Sequence, residues 1–255
     1  MTHYDYTNKS VLITGASKGV GQATARAFAK AGARVCIHYA TDQEGAKTTL
    51  NSLEGAGHCI LQADLREASA ARRLVDSCLA KLGGLDILVN NAGQFKPHPV
   101  IGTNSEDWLA TFQATINLNL TAVAVGSHAA ANHWAATGKG GVIVNVGSRG
   151  AWRGEEGQVG YGASKAGLHA LSRSLARELG AHRIRVHALA PGFIETAMAR
   201  PHLQGAAGEA VRAQSPLNRV ATVDEIARAI LWLASPDAEW GTGGVMDFNG
   251  ASYLH

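Results

Sequence analysis

The chain has 255 residues, of which 46% are hydrophobic and 17% charged, a balance that excludes wholesale disorder. Its formal charge of +3 comes from 23 basic and 20 acidic residues without a block of like charges, so the electrostatic footprint of a nucleic-acid binder is missing. Three cysteines, Cys36, Cys59 and Cys78, are too few and too scattered for a disulfide framework or a Cys-x-x-Cys metal site, and read as reduced, buried thiols of a soluble cytoplasmic protein.

From the amino terminus, Met1 to Asn8 is polar, lacks the apolar stretch of a signal peptide, and reads as a flexible tail. Short apolar and β-branched runs then recur: Val11 to Ile13, Arg34 to Ile37, His58 to Leu61, Asp86 to Val89, Val142 to Val146, Ile184 to Leu189 and Val245 to Phe248. Between them lie Ala/Leu-rich stretches with helical spacing, such as Gln22 to Ala31 and Ala68 to Leu82. A long helix is expected over Glu106 to Ala136, with Asn117 and Asn119 in its middle, where asparagine has poor propensity. Another is expected over Gly160 to Gly180. Apolar strands without alternation are buried on both faces, which requires helices above and below a parallel sheet. Right-handed crossovers then give a single-domain, doubly wound α/β Rossmann fold of about seven parallel strands spanning 1–255. No apolar run reaches the ~18 residues of a membrane span. Beyond Pro191 the pattern loosens, and residues 192–215 read as an extended lid beside the carboxyl ends of the strands.

The first strand runs into Gly15-Ala16-Ser17-Lys18-Gly19-Val20-Gly21. Such glycines permit a tight turn and bring backbone N–H groups up to a pyrophosphate at the positive end of the next helix. The spacing, Gly-x3-Gly-x-Gly, departs from the usual Gly-x-Gly-x-x-Gly, and a glycine-rich turn without a ligand is the plain alternative. Where a carboxylate would hold the ribose 2′-hydroxyl of NAD(H), at the end of the second strand, the chain has His38-Tyr39-Ala40-Thr41. Lys18 could meet a 2′-phosphate and Thr41 add a hydroxyl donor, with Tyr39 also in the cofactor site, so NADP(H) is favoured over NAD(H); a solvated Lys18 is the plain alternative, and Asp42, a carboxylate close by, counts against the phosphate.

Tyr161 and Lys165 stand one helical turn apart on one face. An ammonium beside a phenol favours the phenolate, so a lowered Tyr161 pKa suited to general acid–base work is expected. Ser148 emerges at the carboxyl end of a strand, where ligands of open α/β sheets bind and where a hydroxyl can polarise a carbonyl. The loop that follows, Arg149 to Glu156, borders the same region with Gln94 and Phe95; Trp152 and Phe95 offer apolar packing to a substrate. Arg149 or Arg153 could meet an anionic substrate, but Glu155 and Glu156 nearly cancel their charges, so solvated loop residues are the favoured reading. No His-Glu-x-x-His or Cys/His cluster occurs, so no metal is expected, and His169 and His187 read as packed groups.

Taken in order, these landmarks resemble the short-chain dehydrogenase/reductase family, single-domain subgroup, from Ser10 to the carboxyl terminus. The glycine turn, Asp64, Asn90-Asn91-Ala92-Gly93, Ser148, Tyr161-x-x-x-Lys165 and Pro191-Gly192 with Thr196 follow the family's sequence of motifs. The resemblance implies that Asp64 contacts adenine, that Asn91, Ala92 and Gly93 shape the cofactor cleft, that Thr196 holds the nicotinamide carboxamide, and that Leu65, Pro191, Gly192 and Ile194 also belong to the cofactor site. It implies that Ser148, Tyr161 and Lys165 act with a helix asparagine: Asn119-Leu-Thr-Ala-Val fits the pattern better than Asn117, which stays open. Lys165 would also bind the nicotinamide ribose, and a homotetramer or homodimer would form through the long fourth and fifth helices. The activity implied is reversible hydride transfer between a nicotinamide and a small carbonyl or secondary alcohol. The chain is similar to 3-oxoacyl-thioester reductases, and also to NAD-dependent sugar, polyol and steroid dehydrogenases. A non-catalytic NADP(H)-binding regulator is the reading from another class.

Overall fold

The structure is a computed structural model and describes residues 4–196, 199 and 203–255. The seven apolar runs become β1 (Ser10–Ile13), β2 (Arg34–Tyr39), β3 (Cys59–Gln62), β4 (Ile87–Asn90), β5 (Gly141–Val146), β6 (Ile184–Pro191) and β7 (Val245–Phe248). All pair in parallel in the order β3-β2-β1-β4-β5-β6-β7. This is the seven-stranded Rossmann sheet expected from the pattern. The order reverses between β1 and β4, and the crevice at such a reversal is where ligands of this architecture bind.

Both faces of the sheet are covered, which is why its strands read as continuous apolar runs. Val11, Ile13, Val35 and Ile37 pack on one face with residues of α1 (Gly19–Lys30), α2 (Gln43–Asn51) and α9 (Val223–Ala234). Leu12, Leu88 and Ile143 point the other way, into a layer built by α3 (Ala68–Leu82), α5 (Ala122–Thr137) and α7 (Val159–Leu179). The expected long helix runs as α4 (Ser105–Ile116), a wide π turn over Asn117–Thr121, and α5. Two short helices, α6 (Gly150–Arg153) and α8 (Gly205–Arg212), follow β5 and β6. Among the described residues no helix is long and apolar enough to cross a membrane.

Three expectations are corrected. The amino-terminal segment is anchored: Tyr6 is buried edge-on against Phe28 at 4.9 Å, and its hydroxyl donates to the Leu231 carbonyl at 2.5 Å. Tyr6 pins the chain between α1 and α9, and Tyr4 packs against the same core. The cysteines are not scattered. Cys36 and Cys59 lie opposite each other on β2 and β3, Cys78 joins them from α3, and contact with the other two thiols, with burial, pushes the Cys36 thiol up. Finally, the stretch read as an irregular lid contains α8, whose glycines hide its period; Gly208 packs so closely on the Leu203 backbone that a Cβ would fall 2.1 Å from its carbonyl oxygen. Residues 197, 198 and 200–202 of that stretch, like 1–3 of the amino-terminal one, lie outside the described residues.

Candidate active site

The glycine turn connects β1 to α1 at the sheet's reversal point. Gly15 and Gly19 take φ values of +66° and +59°, a region that penalises side chains. At Gly21 a Cβ would fall 2.4 Å from the Gly15 carbonyl oxygen and 2.7 Å from Asn91 Nδ2. Asn91 Nδ2 donates to the Thr14 and Gly15 carbonyls at 2.8 and 3.1 Å, tying the end of β4 to the turn. From β2, His38 accepts the Gly15 N–H at Nδ1, 3.0 Å away, and its Nε2 faces the Ala63 carbonyl, also at 3.0 Å. The first contact fixes the proton on Nε2, and burial holds the His38 pKa below the usual histidine range.

This turn borders a cleft of about 780 Å³. Gly15, Ser17, Lys18, Gly19, Val20, Gly21, Tyr39, Thr41, Asp64, Leu65, Asn91, Ala92, Gly93 and Thr196 all line it. The helix end facing the cleft fits a dinucleotide phosphate on its own chemistry: α1 starts without a side-chain cap and without an acidic residue in its first turn. Its orphan N–H groups and positive dipole end are therefore left for an outside anion. At the end of the cleft where the sequence suggests a ribose, Lys18 Nζ lies 3.9 Å from Asp42, whose carboxylate also caps α2 by accepting the Gly45 N–H at 3.0 Å. Asp64 is gripped by the Arg66 fork, Nη2 to Oδ2 at 2.5 Å, which holds its carboxyl below the usual range.

Thr196 also lines an adjoining cavity of about 220 Å³ with Phe95, Ser148, Arg149, Tyr161, Gly192 and Ile194. Ser148 follows β5, and its Oγ accepts the Gly150 N–H at 2.9 Å, which fixes the hydroxyl oxygen at the cavity wall. Tyr161 rises from the first turn of α7 with its ring edge-on to Phe95 at 4.7 Å. The start of α7 is held by His98, which sequence reasoning missed: its buried Nε2 accepts the Gly160 N–H at 3.0 Å while Nδ1 sits 2.8 Å from the Lys96 carbonyl. A single histidine in a Pro-rich loop carries no sequence signal for this role.

Lys165, one turn along α7, is buried, and its Nζ donates to the Val146 carbonyl at 2.7 Å, 5.8 Å from the Tyr161 ring centre. The expected electrostatic pairing is therefore corrected. Burial raises the Tyr161 pKa, only partly opposed by the nearby Ser148 hydroxyl, and burial lowers that of Lys165 to about 8. Spacing along a helix specifies proximity, whereas the interior decides which protonation state is stable. Asn119 is buried in the π turn; its amide clasps the Gln94 peptide group, with Oδ1 accepting from Gln94 N at 2.9 Å and Nδ2 donating to Gln94 O at 3.0 Å. It also reaches Ser164 Oγ at 3.1 Å. Asn117 is half-buried and accepts from Gln113 Nε2 at 2.9 Å, so the π turn brings Asn119 fully inward and its neighbour only partly.

Five other positions depart from expectation. Gln94 borders the dinucleotide cleft, its Nε2 donating to Thr115 Oγ1 at 2.9 Å. Pro191 ends β6 and lines neither cavity. Trp152 does not line the cavity that holds Ser148 and Tyr161; its ring stacks on His255 at 4.1 Å and packs against His169. Arg149, read as a solvated loop residue, is 3% exposed. Glu155 enters the cavity wall, where the close approach of Gly150 leaves it room. Among the described residues there is no cluster able to hold a metal ion.

A family profile described as Enoyl-(Acyl carrier protein) reductase matches residues 15–250. Over 252 residues the chain is 37% identical to the 3-oxoacyl-[acyl-carrier-protein] reductase FabG of Pseudomonas aeruginosa, covering 96% of this chain and 98% of that protein. Over 254 residues it is 35% identical to 3beta-hydroxysteroid dehydrogenase 1 of Eggerthella lenta, covering 98% and 96%. The crystal structure of a short chain dehydrogenase from Burkholderia cenocepacia in complex with NADP superposes with a TM-score of 0.87 at 35% identity, over 97% of this chain and 98% of that one.

Proposed function

The chain belongs to the short-chain dehydrogenase/reductase family of oxidoreductases, whose members bind NAD(P), and from that premise we propose that it reduces a ketone with NADP(H), reversibly, in the manner for which its 3-oxoacyl-reducing relatives are named. The observation that carries this reading is the meeting of the Ser148 hydroxyl and the Tyr161 phenol in one cavity beside the dinucleotide cleft, with the Lys165 amine buried behind them.

The hydride exchanged with the carbonyl carbon would be supplied by a nicotinamide held in the cleft beside the cavity. Ser148 donates a hydrogen bond to the carbonyl oxygen and strengthens it as negative charge grows there. Tyr161 gives its proton to the forming alkoxide. A phenol kept protonated by burial suits that direction: it stays a donor at neutral pH and is still far more acidic than the alcohol it creates. Lys165 holds a positive charge beneath the site at neutral pH, and Asn119 fixes the Gln94 peptide at its margin. The 2′-phosphate preference rests on Lys18 in the glycine turn and on the lack of a carboxylate at the end of β2. Asp42 near Lys18 favours a second reading, NAD(H)-dependent alcohol oxidation.

The test is a rate panel of ketones and alcohols with NADPH and NADH run in parallel. Faster turnover of a ketone with NADPH than with NADH is expected; preference for NADH would overturn the cofactor choice. Retained turnover in Tyr161→Phe would overturn the role of the phenol.

A further inference from the structure

Directly after Ser148 the interior holds a cation. Arg149 lines the catalytic cavity and also a second cavity of about 370 Å³ behind it; Phe193 is the other residue common to both. The guanidinium lies 5.1 Å above the Phe193 ring centre. Its Nη2 donates to Gln214 Oε1 at 2.6 Å, and Arg153 Nη1 donates to the same oxygen at 3.2 Å. Two guanidinium groups thus share one neutral acceptor. Among the described residues no carboxylate lies within ion-pairing distance of Arg149, and Glu155 acts on it only from farther away. Of the other charged groups lining the rear cavity, Arg219 forks onto Glu225 at 2.7 and 2.8 Å, and Asp247 lies 3.2 Å from the His255 ring. A buried charge without its opposite is costly unless something else supplies the opposite.

We infer that the missing counter-charge is a carboxylate of the substrate, so that the ketone reduced here is an oxo acid whose acid end passes Phe193 and docks on Arg149. This rests on the ketone-reductase reading and narrows it. The planar guanidinium fork suits a carboxylate. Apolar Leu217, Phe248 and Leu254, with the carboxylates of Glu225 and Asp247 in the same wall, suit a singly charged acid on a short carbon chain better than a dianionic phosphate.

The experiment compares acetoacetate and levulinate, each against its methyl ester, with NADPH, in the wild type, Arg149→Gln and Gln214→Glu. The last substitution leaves Arg149 in place and sets a carboxylate where its present acceptor stands. In the wild type at least one acid is expected to exceed its ester by about tenfold or more in kcat/KM, the difference lying in KM. Both substitutions are expected to bring the acid-to-ester ratio close to one. Calorimetric binding of the corresponding hydroxy acids follows the same order without turnover. Esters reduced as well as acids by the wild type, or an unchanged ratio in both variants, would overturn the inference while leaving the reductase reading intact. Conversely, acid binding that depends on Arg149 without turnover of any ketone would uphold the anion site and sink the reductase reading.

Discussion

The two ends of the long cleft handle charge in opposite ways. At the ribose end Lys18, Asp42, Asp64 and Arg66 are well exposed and neutralise one another across 3.9 and 2.5 Å. Pairs of this kind contribute about 0–1 kcal/mol each and are weakened by salt. At the reacting end Lys165 and Arg149 are buried, neither has a carboxylate within ion-pairing distance among the described residues, and burial moves both pKa values down. On the proposed reading, the chemistry belongs where the interior sets proton affinities, and cofactor choice where charges can be exchanged at little cost. Substitutions at the first site should be severe and pH-dependent; those at the second should be mild and salt-dependent.

The sharpest way to break that contrast is Tyr161→Phe. It removes one oxygen and keeps the ring contact with Phe95. Loss of a positioned proton donor costs about 10²–10⁴-fold in kcat, and dinucleotide affinity, read by fluorescence titration, should stay within about threefold because the turn at Gly15 to Gly21 is untouched.

Next in size is the response of Lys165 to pH. The unfolded chain keeps its proton up to the ordinary value of 10.5, whereas the folded chain releases it near 8. Between those values the unfolded state binds more protons, so this group's contribution to stability is fully present above 10.5 and is lost as pH falls through about 8. The span corresponds to roughly 3 kcal/mol. Urea unfolding of wild type and Lys165→Met at pH values on both sides of this window measures it: the variant should lack the rise that the wild type gains toward high pH. Equal slopes in the two proteins would show that the amine is less isolated than the Val146 contact implies.

Gly147 tests the rigidity behind Ser148. A Cβ there would fall 2.2 Å from His169 Nε2 and 2.9 Å from the Leu189 carbonyl oxygen. Gly147→Ala should cost about 1–3 kcal/mol and lower kcat along with the melting temperature, since Ser148 is the next residue. Adding His169→Ala opens the space on one side, and partial recovery in the double variant is expected.

How much of this could be read in the sequence follows the same division between surface and interior. The seven strands were legible because helices cover both faces and leave runs such as Val11 to Ile13 without a polar gap. The glycine turn was legible because its backbone demands are met by one residue type. Ser148, Tyr161 and Lys165 could be singled out from strand ends and helical spacing. Their protonation could not, because burial by distant segments outweighed the neighbour one turn away. The thiol cluster was hidden for a related reason, as Cys36, Cys59 and Cys78 meet only through strand register. Trp152 was misplaced because its direction depends on the single turn of α6. Arg149 was discounted on a sum of loop charges, whereas only one of the four becomes buried and separated from the acids beside it.

Asp42→Asn is the mildest substitution and the most direct probe of the ribose end. It removes the carboxylate 3.9 Å from Lys18 and keeps an oxygen able to accept the Gly45 N–H at the start of α2, so folding should be nearly unaffected. If Lys18 receives a 2′-phosphate, the freed ammonium should lower KM for NADPH by about two- to fivefold and leave KM for NADH unchanged, an effect that shrinks with added salt because both groups are exposed. Steady-state KM for the two cofactors at low and high ionic strength reads this directly. Equal changes for NADPH and NADH would mean that Asp42 shapes the turn rather than the charge, and a change that persists at high salt would place this pair with the buried groups at the other end of the cleft.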